Sequence, residues 1–286
     1  MDRWLKDKFP SLTSRQIQEA LDSGLVRLAG KKARKGDKLG SEVVPDVGSL
    51  EAHLEKLRKG NSTLEVPIVS ENEDYLIVDK PAGLPGHPLS LFDVETVTHW
   101  CLAQRPEVAQ AFPEIQPTLT PHRLDTGTSG LLIVAKTKKA FELWRERFKR
   151  KEVTKVYRAW CWGAPSEAHY EVTAAIGHDP TDSRKMTVIT SPHREPVMAA
   201  NSQVRVGIRR ADRGLFLAEV TCTTGITHQV RVHLASLGFP LLGDALYDPD
   251  FPSRSESAPH HQLRAVRLAC GADTFELDST EFEKRF

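Results

Sequence analysis

The sequence predicts an α+β protein built around a largely antiparallel sheet. Short strand-like segments dominate after residue 64, and helix-like segments are scattered between them without regular alternation. Two strands are separated by residues 211–214, a polar segment that ends in glycine and is typical of a hairpin turn. Because hairpins join antiparallel strands, whereas parallel strands need long crossovers, the pattern favours α+β over a doubly wound parallel sheet.

The strand-like segments are short runs rich in β-branched, aromatic and aliphatic residues. They cover residues 75–78, 131–134, 153–162, 203–208 and 215–222. Two helices are predicted between them, because apolar residues there recur every three or four positions. The first covers residues 137–148, with a stripe of Ala140, Leu143, Trp144 and Phe148. The second covers residues 227–237, with a stripe of Val230, Leu234 and Leu237.

The first forty residues predict a small α/β module. Thr13 and Gln16 fit a helix capping box, and Gly24 is a typical helix end. A strand over residues 25–28 then leads through Gly30 into a strongly basic segment. Its cations are Lys31, Lys32, Arg34, Lys35 and Lys38. With ten Lys and Arg against five Asp and Glu, residues 1–40 carry +5 and the remainder −4. A solvated loop explains such a run, but this asymmetry favours a polyanion as partner.

The chain is expected to divide into three parts: a module over residues 1–45, a linker over residues 46–63 and a large domain over residues 64–286. Within the linker, Leu50, Leu54 and Leu57 recur at helical spacing, so a connecting helix is predicted there.

Composition argues against several classes of protein. No stretch approaches the roughly 20 apolar residues of a membrane helix, and the charged start does not resemble a signal peptide. The four cysteines are widely spaced without a CxxC pair, which argues against a zinc ribbon and a disulfide framework. They are Cys101, Cys161, Cys222 and Cys270. We therefore expect a cytoplasmic protein with reduced cysteines.

A polar loop over residues 122–130 stands directly before the apolar segment 131–135. Its two glycines, two threonines and one serine allow a tight turn with unusual backbone angles. Asp125 lies in this loop, so a strand end would present its carboxylate to a cleft. A lone aspartate in such a loop is more often a turn former or a cap, and the wider pattern decides between these interpretations.

That wider pattern resembles the signature of the RluA-type family of pseudouridine synthases. The loop contributes His122-Arg123-Leu124-Asp125, Thr128-Ser129-Gly130-Leu131-Leu132 and Ala135-Lys136. Residues 78–88, 155–157 and 224–247 match further family motifs in order and spacing, so the resemblance spans about residues 64–270. Residues 1–45 resemble the alpha-L RNA-binding module, through the strand, the glycine and the basic loop that follows it.

The resemblance implies a large mixed, mostly antiparallel sheet with a central catalytic cleft. It implies isomerisation of uridine in structured RNA to pseudouridine, without a cofactor or a metal. Asp125 is then the nucleophile, and attack on the ribose anomeric carbon or on uracil carbon 6 both remain open. Tyr157 would stack on the flipped base and Arg231 would be the counter-ion of Asp125.

Further residues follow from the same resemblance. Leu263 would line the pocket, and His122 and Arg123 would fill the gap left by the flipped base or hold a phosphate. Three positions depart from the family pattern and raise the prospect of an unusual substrate. They are Ile226 in place of a usual arginine, and Phe239 and Arg264 in place of usual histidines.

The expected RNA is ribosomal RNA first and transfer RNA second, and the expected state is a monomer. A non-catalytic RNA-binding protein that retains the synthase fold is the main alternative. A metal-dependent hydrolase is disfavoured, because His228 and His233 are not at helical i, i+4 spacing with an accompanying glutamate. A nucleotide-binding loop is disfavoured because residues 125–130 lack the Gly-Lys-Ser/Thr ending.

Overall fold

A computed structural model describes residues 1–39, 43–189, 197–251, 253–254 and 258–286. Within these ranges the helices are α1 (Asp2–Lys8), α2 (Ser14–Asp22), α3 (Gly48–Lys59), α4 (Val97–Gln104), α5 (Val108–Ala111), α6 (Lys138–Lys149), α7 (Gln229–Ser236) and α8 (Thr280–Glu283). The first strands are β1 (Arg27–Leu28), β2 (Lys31–Lys32), β3 (Ile68–Glu71), β4 (Tyr75–Lys80), β5 (Ser129–Ala135) and β6 (Thr154–Trp162). The remaining strands are β7 (His169–Val172), β8 (Ile176–His178), β9 (Met186–Val188), β10 (Ser202–Arg210), β11 (Leu215–Cys222), β12 (Leu263–Cys270) and β13 (Asp273–Glu276).

One large sheet dominates the part of the chain that the structure describes. Its nine strands lie in the order β3-β4-β5-β12-β6-β11-β10-β7, and β13 pairs with β12. Strands β12 and β5 pair in parallel through Arg264 opposite Ser129 and Ala265 opposite Gly130. The other pairs in this sheet are antiparallel. The predicted α+β class with a mixed, mostly antiparallel sheet is therefore confirmed.

Alternate residues of β4 and β5 are buried on opposite faces of the sheet. Leu132 packs with α4 and α5 on one face, whereas Ile133 packs with Trp144 of α6 on the other. On the far half of the sheet, Val230 and Leu234 of α7 pack against β6, β10 and β11. Helices α6 and α7 thus flank the middle of the sheet, where the strands β5, β12 and β6 meet.

The N-terminal residues fold as an α/β unit around an apolar cluster that Leu91 and Ile115 also join. Thr13 and Gln16 form the predicted capping box of α2. Strands β1 and β2 form a hairpin whose turn residues, Ala29 and Gly30, have φ angles of +49° and +75°. The predicted connecting helix is α3, but its buried leucines pack in the same cluster as α1 and α2. Residues 46–63 therefore contribute to the N-terminal core rather than forming a free connector.

Three local expectations need correction. The paired part of the first predicted strand is only Arg27–Leu28. Helix α7 begins at Gln229 rather than at residue 227, because His228 has a left-handed backbone conformation with φ +59°. Leu143 was expected on the buried stripe of α6 but is 49% exposed, since the face in contact with the sheet is narrow and centred on Ala140 and Trp144.

The four cysteines are free and buried. Among the described helices, none is both long and apolar enough to span a membrane.

Candidate active site

A large cleft opens across the middle of the sheet, between α6 and α7. Its volume is about 930 Å³, which is at the upper end of the range for small-molecule sites. It brings together six residues singled out from the sequence, which are His122, Arg123, Asp125, Tyr157, Arg231 and Leu263. These residues come from positions up to 141 apart in the chain, so the fold rather than local sequence assembles the cleft.

The loop that carries Asp125 is fixed by hydrogen bonds from both sides. The N–H of Thr128 donates to the carbonyl of Asp125 at 3.0 Å, which closes a turn. The carbonyl of Thr126 accepts from the N–H of Gly83 at 2.8 Å and from Nζ of Lys80 at 3.0 Å. Lys80 is fully buried, and burial lowers its pKa to about 8. The sequence placed Lys80 in a motif but assigned it no role; it anchors the loop beside Asp125.

Gly130 lets the loop sit against the central strand. Its φ is +109°, and a Cβ built there would lie 2.1 Å from the carbonyl oxygen of Ala265. Only glycine combines that backbone angle with so close an approach. The contact joins the start of β5 to β12 directly after the loop and so holds the end of the loop against the sheet.

Arg231 connects two carboxylates. Its Nη1 donates to Oδ2 of Asp125 at 3.1 Å, and its Nε and Nη2 donate to the two oxygens of Asp244 at 2.8 Å each. Burial alone would lower the pKa of Arg231 and raise that of Asp244. Their hydrogen bonds and opposite charges outweigh burial, so the pKa of Arg231 lies above its ordinary value and that of Asp244 below it. Both groups therefore stay charged in the cleft wall.

Helix α7 holds Arg231 in the wall of the cleft. Val230 and Leu234 hold the helix against the sheet, and Arg231, next to that apolar stripe, is only 7% exposed. The guanidinium lies over the ring of Tyr247, with its carbon 4.9 Å from the ring centroid. This packing fixes the guanidinium, so Asp125 has a permanent positive partner.

Tyr157 and Leu263 form the apolar floor of the cleft. Tyr157 lies on β6 and Leu263 begins β12, and both belong to one buried cluster. Burial is the main cause that raises the pKa of Tyr157 well above its ordinary value, and Cys222 and Asp125 add to it. Its hydroxyl therefore stays protonated at neutral pH. A flat ring beside a carboxylate is suited to contact with a planar base.

His228 and Tyr247 form a hydrogen-bond chain that sequence analysis did not find. The hydroxyl of Tyr247 accepts from the N–H of Met186 at 2.8 Å and lies 2.7 Å from Nδ1 of His228. Since this oxygen already accepts one bond, its own proton is best donated to Nδ1, which leaves the imidazole proton on Nε2. Nε2 lies 3.8 Å from Oδ2 of Asp125.

In that arrangement a neutral His228 imidazole presents the N–H of Nε2 towards the carboxylate, 3.8 Å from Oδ2 of Asp125. Burial lowers the pKa of His228, in line with the neutral form. The motif over residues 224–247 includes both His228 and Tyr247, so the sequence contained a signal for them. The left-handed backbone of His228, with φ +59°, and its contact with Tyr247 are visible only in the structure.

Lys155 supports the segment that leads from β11 into α7. Its Nζ donates to the carbonyl of Thr224 at 2.5 Å, directly before the segment that leads into α7. The side chain is buried, and burial lowers the pKa of Lys155. Lys155 also lines the cleft, so it adds positive charge close to Tyr157.

His122 and Arg123 occupy different environments. The ring of His122 stacks on Phe148 with centroids 4.5 Å apart, and its Nε2 accepts the N–H of Ile133 at 3.0 Å. Burial, reinforced by the charge of Lys155, lowers the pKa of His122 to about 3. Arg123, by contrast, is exposed at the rim of the cleft. His122 therefore supports β5, and Arg123 is available to an incoming molecule.

The N-terminal cations lie away from this cleft. Lys31, Lys32, Arg34, Lys35 and Lys38 are all exposed, and none of them lines it. Lys32 donates to the carbonyl of Asp22, and Lys35 has its carboxylate partner, Asp2, at 3.9 Å. The structure thus separates the predicted RNA-binding residues from the predicted catalytic ones.

The three departures from the family pattern each have a local partner. Ile226 packs with Met186 and Val232 in an apolar cluster at the edge of the cleft. Arg264 donates to Asp79 at 2.6 Å. Phe239 makes an edge-on contact with Phe216, with ring centroids 5.2 Å apart. These replacements are therefore integrated into the fold, and Ile226 makes one edge of the cleft apolar.

Within the described ranges, no three His, Cys, Asp or Glu side chains are grouped so as to hold a metal ion. His228 and His233, the pair considered above, have separate partners: His233 contacts Ser202 at 2.9 Å and the carbonyl of Ala174 at 3.0 Å. The cleft offers instead a carboxylate, a paired guanidinium and an aromatic ring.

Comparisons with known proteins identify the family. A family model described as RNA pseudouridylate synthase matches residues 74–236. The chain therefore belongs to this family and is an RNA pseudouridine synthase, an isomerase. The matched range includes Asp125, Tyr157 and Arg231, and the recognition from the sequence motifs is confirmed.

Individual relatives support the assignment over most of the chain. An uncharacterised RNA pseudouridine synthase of Synechocystis is 31% identical and covers 95% of this chain and 82% of the relative. The ribosomal large subunit pseudouridine synthase D of Pseudomonas aeruginosa is 29% identical and covers 97% and 83%. The structure of human RNA pseudouridylate synthase domain containing 1 has a TM-score of 0.60 and 26% identity, and covers 76% of this chain and 84% of its own.

Proposed function

We propose that this protein converts a specific uridine of ribosomal RNA to pseudouridine in the cytoplasm, with Asp125 as the nucleophile. The observation that carries the proposal is the pairing of Asp125 with Arg231 at 3.1 Å in a cleft that also holds Tyr157. An ionised carboxylate is the form that attacks carbon, and the fixed guanidinium of Arg231 places an opposite charge 3.1 Å from Oδ2 of Asp125.

The reaction needs no net redox change. The bond between uracil N1 and the ribose anomeric carbon breaks, and a bond from uracil carbon 5 to the same carbon forms. The proton on carbon 5 is lost and N1 gains one, so the product is an isomer of the substrate. Asp125 attacks either the anomeric carbon or uracil carbon 6, and the cleft geometry leaves both routes open.

The remaining cleft residues orient the base in this proposal. Tyr157 and Leu263 contact the faces of the flipped uracil, and Arg123 enters the space that it leaves or binds a neighbouring phosphate. His228 donates from Nε2 to the carboxylate or to an oxygen of the base, with its tautomer held by Tyr247. A neutral donor fixed before substrate arrives stabilises developing negative charge without reorganisation.

Ribosomal RNA is favoured as the substrate because of the relative from Pseudomonas aeruginosa, whose name states action on the large ribosomal subunit. The exposed basic hairpin and loop of the N-terminal unit suit a folded RNA, which proteins recognise mainly by shape and phosphate contacts. Transfer RNA remains the second choice.

The test is release of tritium from carbon 5 of uracil in labelled ribosomal and transfer RNA transcripts, with wild type, Asp125→Asn and Asp125→Ala. We expect the wild type to release tritium from ribosomal RNA and the two variants to fall by about a thousand-fold or more, since they remove the nucleophile. Asp212→Asn, in the exposed turn before Gly214, is a matched control and should keep wild-type activity.

Release from transfer RNA alone would correct the proposed substrate. Full release by Asp125→Asn would contradict the assigned nucleophile. Salt-sensitive binding of RNA by the wild type without any release would favour an RNA-binding protein that retains the fold.

A further inference from the structure

The cleft extends well beyond Asp125, along one face of α6. Its wall there includes Lys138, Arg145 and Lys149. We call these three residues the α6 cation stripe. Arg145 and Lys149 follow Lys138 by seven and eleven positions. The three side chains therefore fall within an arc of about 40° on the helix and span about 16 Å along its axis. A stripe of one sign along a groove matches an extended polyanion better than a compact ligand.

The charges of the α6 cation stripe are largely free for a ligand. Within the described ranges, Arg145 has no carboxylate at ion-pair distance. Lys149 has Glu146 at 3.9 Å, with 78% of the lysine side chain exposed, and Lys138 has Glu114 at 3.6 Å. Such exposed pairs contribute about 0–1 kcal/mol, so a phosphate readily replaces them.

The far end of the groove touches the N-terminal unit. Gln116 lines the cleft, and its Oε1 accepts from Nε2 of Gln16 in α2 at 2.9 Å. Its neighbour Ile115 is buried in the apolar cluster of α1, α2 and α3. The groove along α6 therefore connects the cleft around Asp125 with the N-terminal unit.

Cations outnumber acids along this part of the wall. Glu114 and Glu142 also line it, but Glu114 is the partner of Lys138, and Arg123 and Lys155 add positive charge near Asp125. The net positive potential favours phosphate groups over acidic or neutral ligands.

We propose that the α6 cation stripe is a phosphate track for the RNA strand flanking the target uridine, leading from Asp125 towards the N-terminal unit. This inference rests on the proposed function, because it takes RNA as the ligand. The chemistry at Asp125 fixes one nucleotide, and the track fixes the direction in which its neighbours leave the cleft.

The test compares two double variants of the same helix. Arg145→Gln/Lys149→Gln removes two cations of the stripe, whereas Lys139→Gln/Arg150→Gln removes one lysine and one arginine that do not line the cleft. All four side chains are exposed, so both variants should fold. Affinity for a ribosomal RNA transcript is measured from 50 to 300 mM salt, and again for a stem-loop trimmed close to the uridine.

The stripe variant should bind the long transcript at least about fivefold more weakly, and its log–log salt slope should fall by about 1.4–1.8. The control should stay within about twofold of wild type, and the difference should shrink on the trimmed stem-loop. Equal slopes for stripe variant and wild type, or equal losses in both variants, would overturn the track. Absence of tritium release by the wild type would instead overturn the proposed function, and the salt slopes would still decide whether RNA follows α6.

Discussion

The cleft and the N-terminal unit hold their charged side chains in opposite ways. In the cleft, Arg231 and Asp244 have side chains only 8% and 1% exposed and joined by two hydrogen bonds. In the N-terminal unit, Lys31 and Arg34 are exposed on a hairpin and its following loop. The charges around the proposed nucleophile are thus fixed by burial and pairing, whereas the charges proposed to contact RNA are solvated and adaptable.

Among the variants that test this contrast, Asp244→Asn should have the largest effect on activity. Removing a carboxylate from a buried pair costs about 3 kcal/mol of stability, and it frees the guanidinium that holds Asp125. We expect kcat to fall about 100-fold, measured by tritium release on folded protein. Asp248→Asn breaks another carboxylate–guanidinium pair, with Arg254, which within the described ranges has no ion pair with Asp125, and should lower the melting temperature without that loss of kcat. Equal kcat losses in both variants would mean that the effect is general destabilisation.

The N-terminal unit should show the opposite behaviour, a loss of binding without loss of stability. Lys31, Arg34 and Lys38 lack side-chain partners among the described residues, so replacing them with Gln leaves the fold intact. We expect Kd for RNA to rise about tenfold and the salt slope to fall by about 2–3. Lys31→Arg/Lys38→Arg keeps the charges and should bind as wild type does. Unchanged affinity of the Gln variant would remove the N-terminal unit from RNA recognition.

Substitution is a sharper test here than deletion of residues 1–45. The apolar face of α3 packs against α1 and α2, and Leu91 and Ile115 complete the same cluster. Deletion would expose this surface and confuse lost RNA contacts with unfolding or aggregation.

A smaller effect is expected for Tyr247→Phe, which keeps the ring under Arg231 but removes the hydroxyl bonded to His228. We expect kcat to fall about tenfold with little change in KM, since the donor loses its fixed tautomer. The double variant Tyr247→Phe/His228→Gln should be no slower than His228→Gln alone, because the two residues act as one unit. Additive losses would show that they act separately.

The smallest effect concerns pH and His122. Its folded-state pKa of about 3 lies below the ordinary value of 6.5. Between these values the unfolded chain binds a proton that the folded protein does not, so the stability from a neutral His122 is complete above pH 6.5 and decreases as pH falls towards 3. Urea unfolding at pH 7 and pH 5.5 should show His122→Gln losing about 1 kcal/mol less than wild type. Exposed His169→Gln should follow wild type, and identical losses in all three would exclude His122 as the source.

Local sequence patterns predicted the elements whose signals are short-range. The capping box of α2 and the turn before Gly214 involve residues at most four apart, so the sequence contains the whole motif. The exposed Leu143 and the packing of α3 were not predictable in this way, because both depend on which surface lies opposite the helix.

The candidate site divides in the same manner. Motif resemblance singled out Asp125, Tyr157 and Arg231, whose meeting in one cleft requires the complete sheet. Asp244 and Tyr247 were part of a matched stretch without a role, because their function consists of contacts with Arg231 and His228 that appear only in three dimensions. The family assignment and the fold class are confirmed, and the roles of individual residues stay predictions.

The position of β12 has a consequence for how the protein matures during synthesis. This strand joins β3-β4-β5 to β6-β11-β10-β7, yet it follows all of them in the chain. The strands on either side precede β12 in the chain, but the loop of Asp125 gains its contact with the central strand only when Ala265 packs against Gly130. We therefore expect a chain that ends before about residue 265 to lack activity even where the earlier strands have formed, because the loop of Asp125 would lack the strand against which it packs.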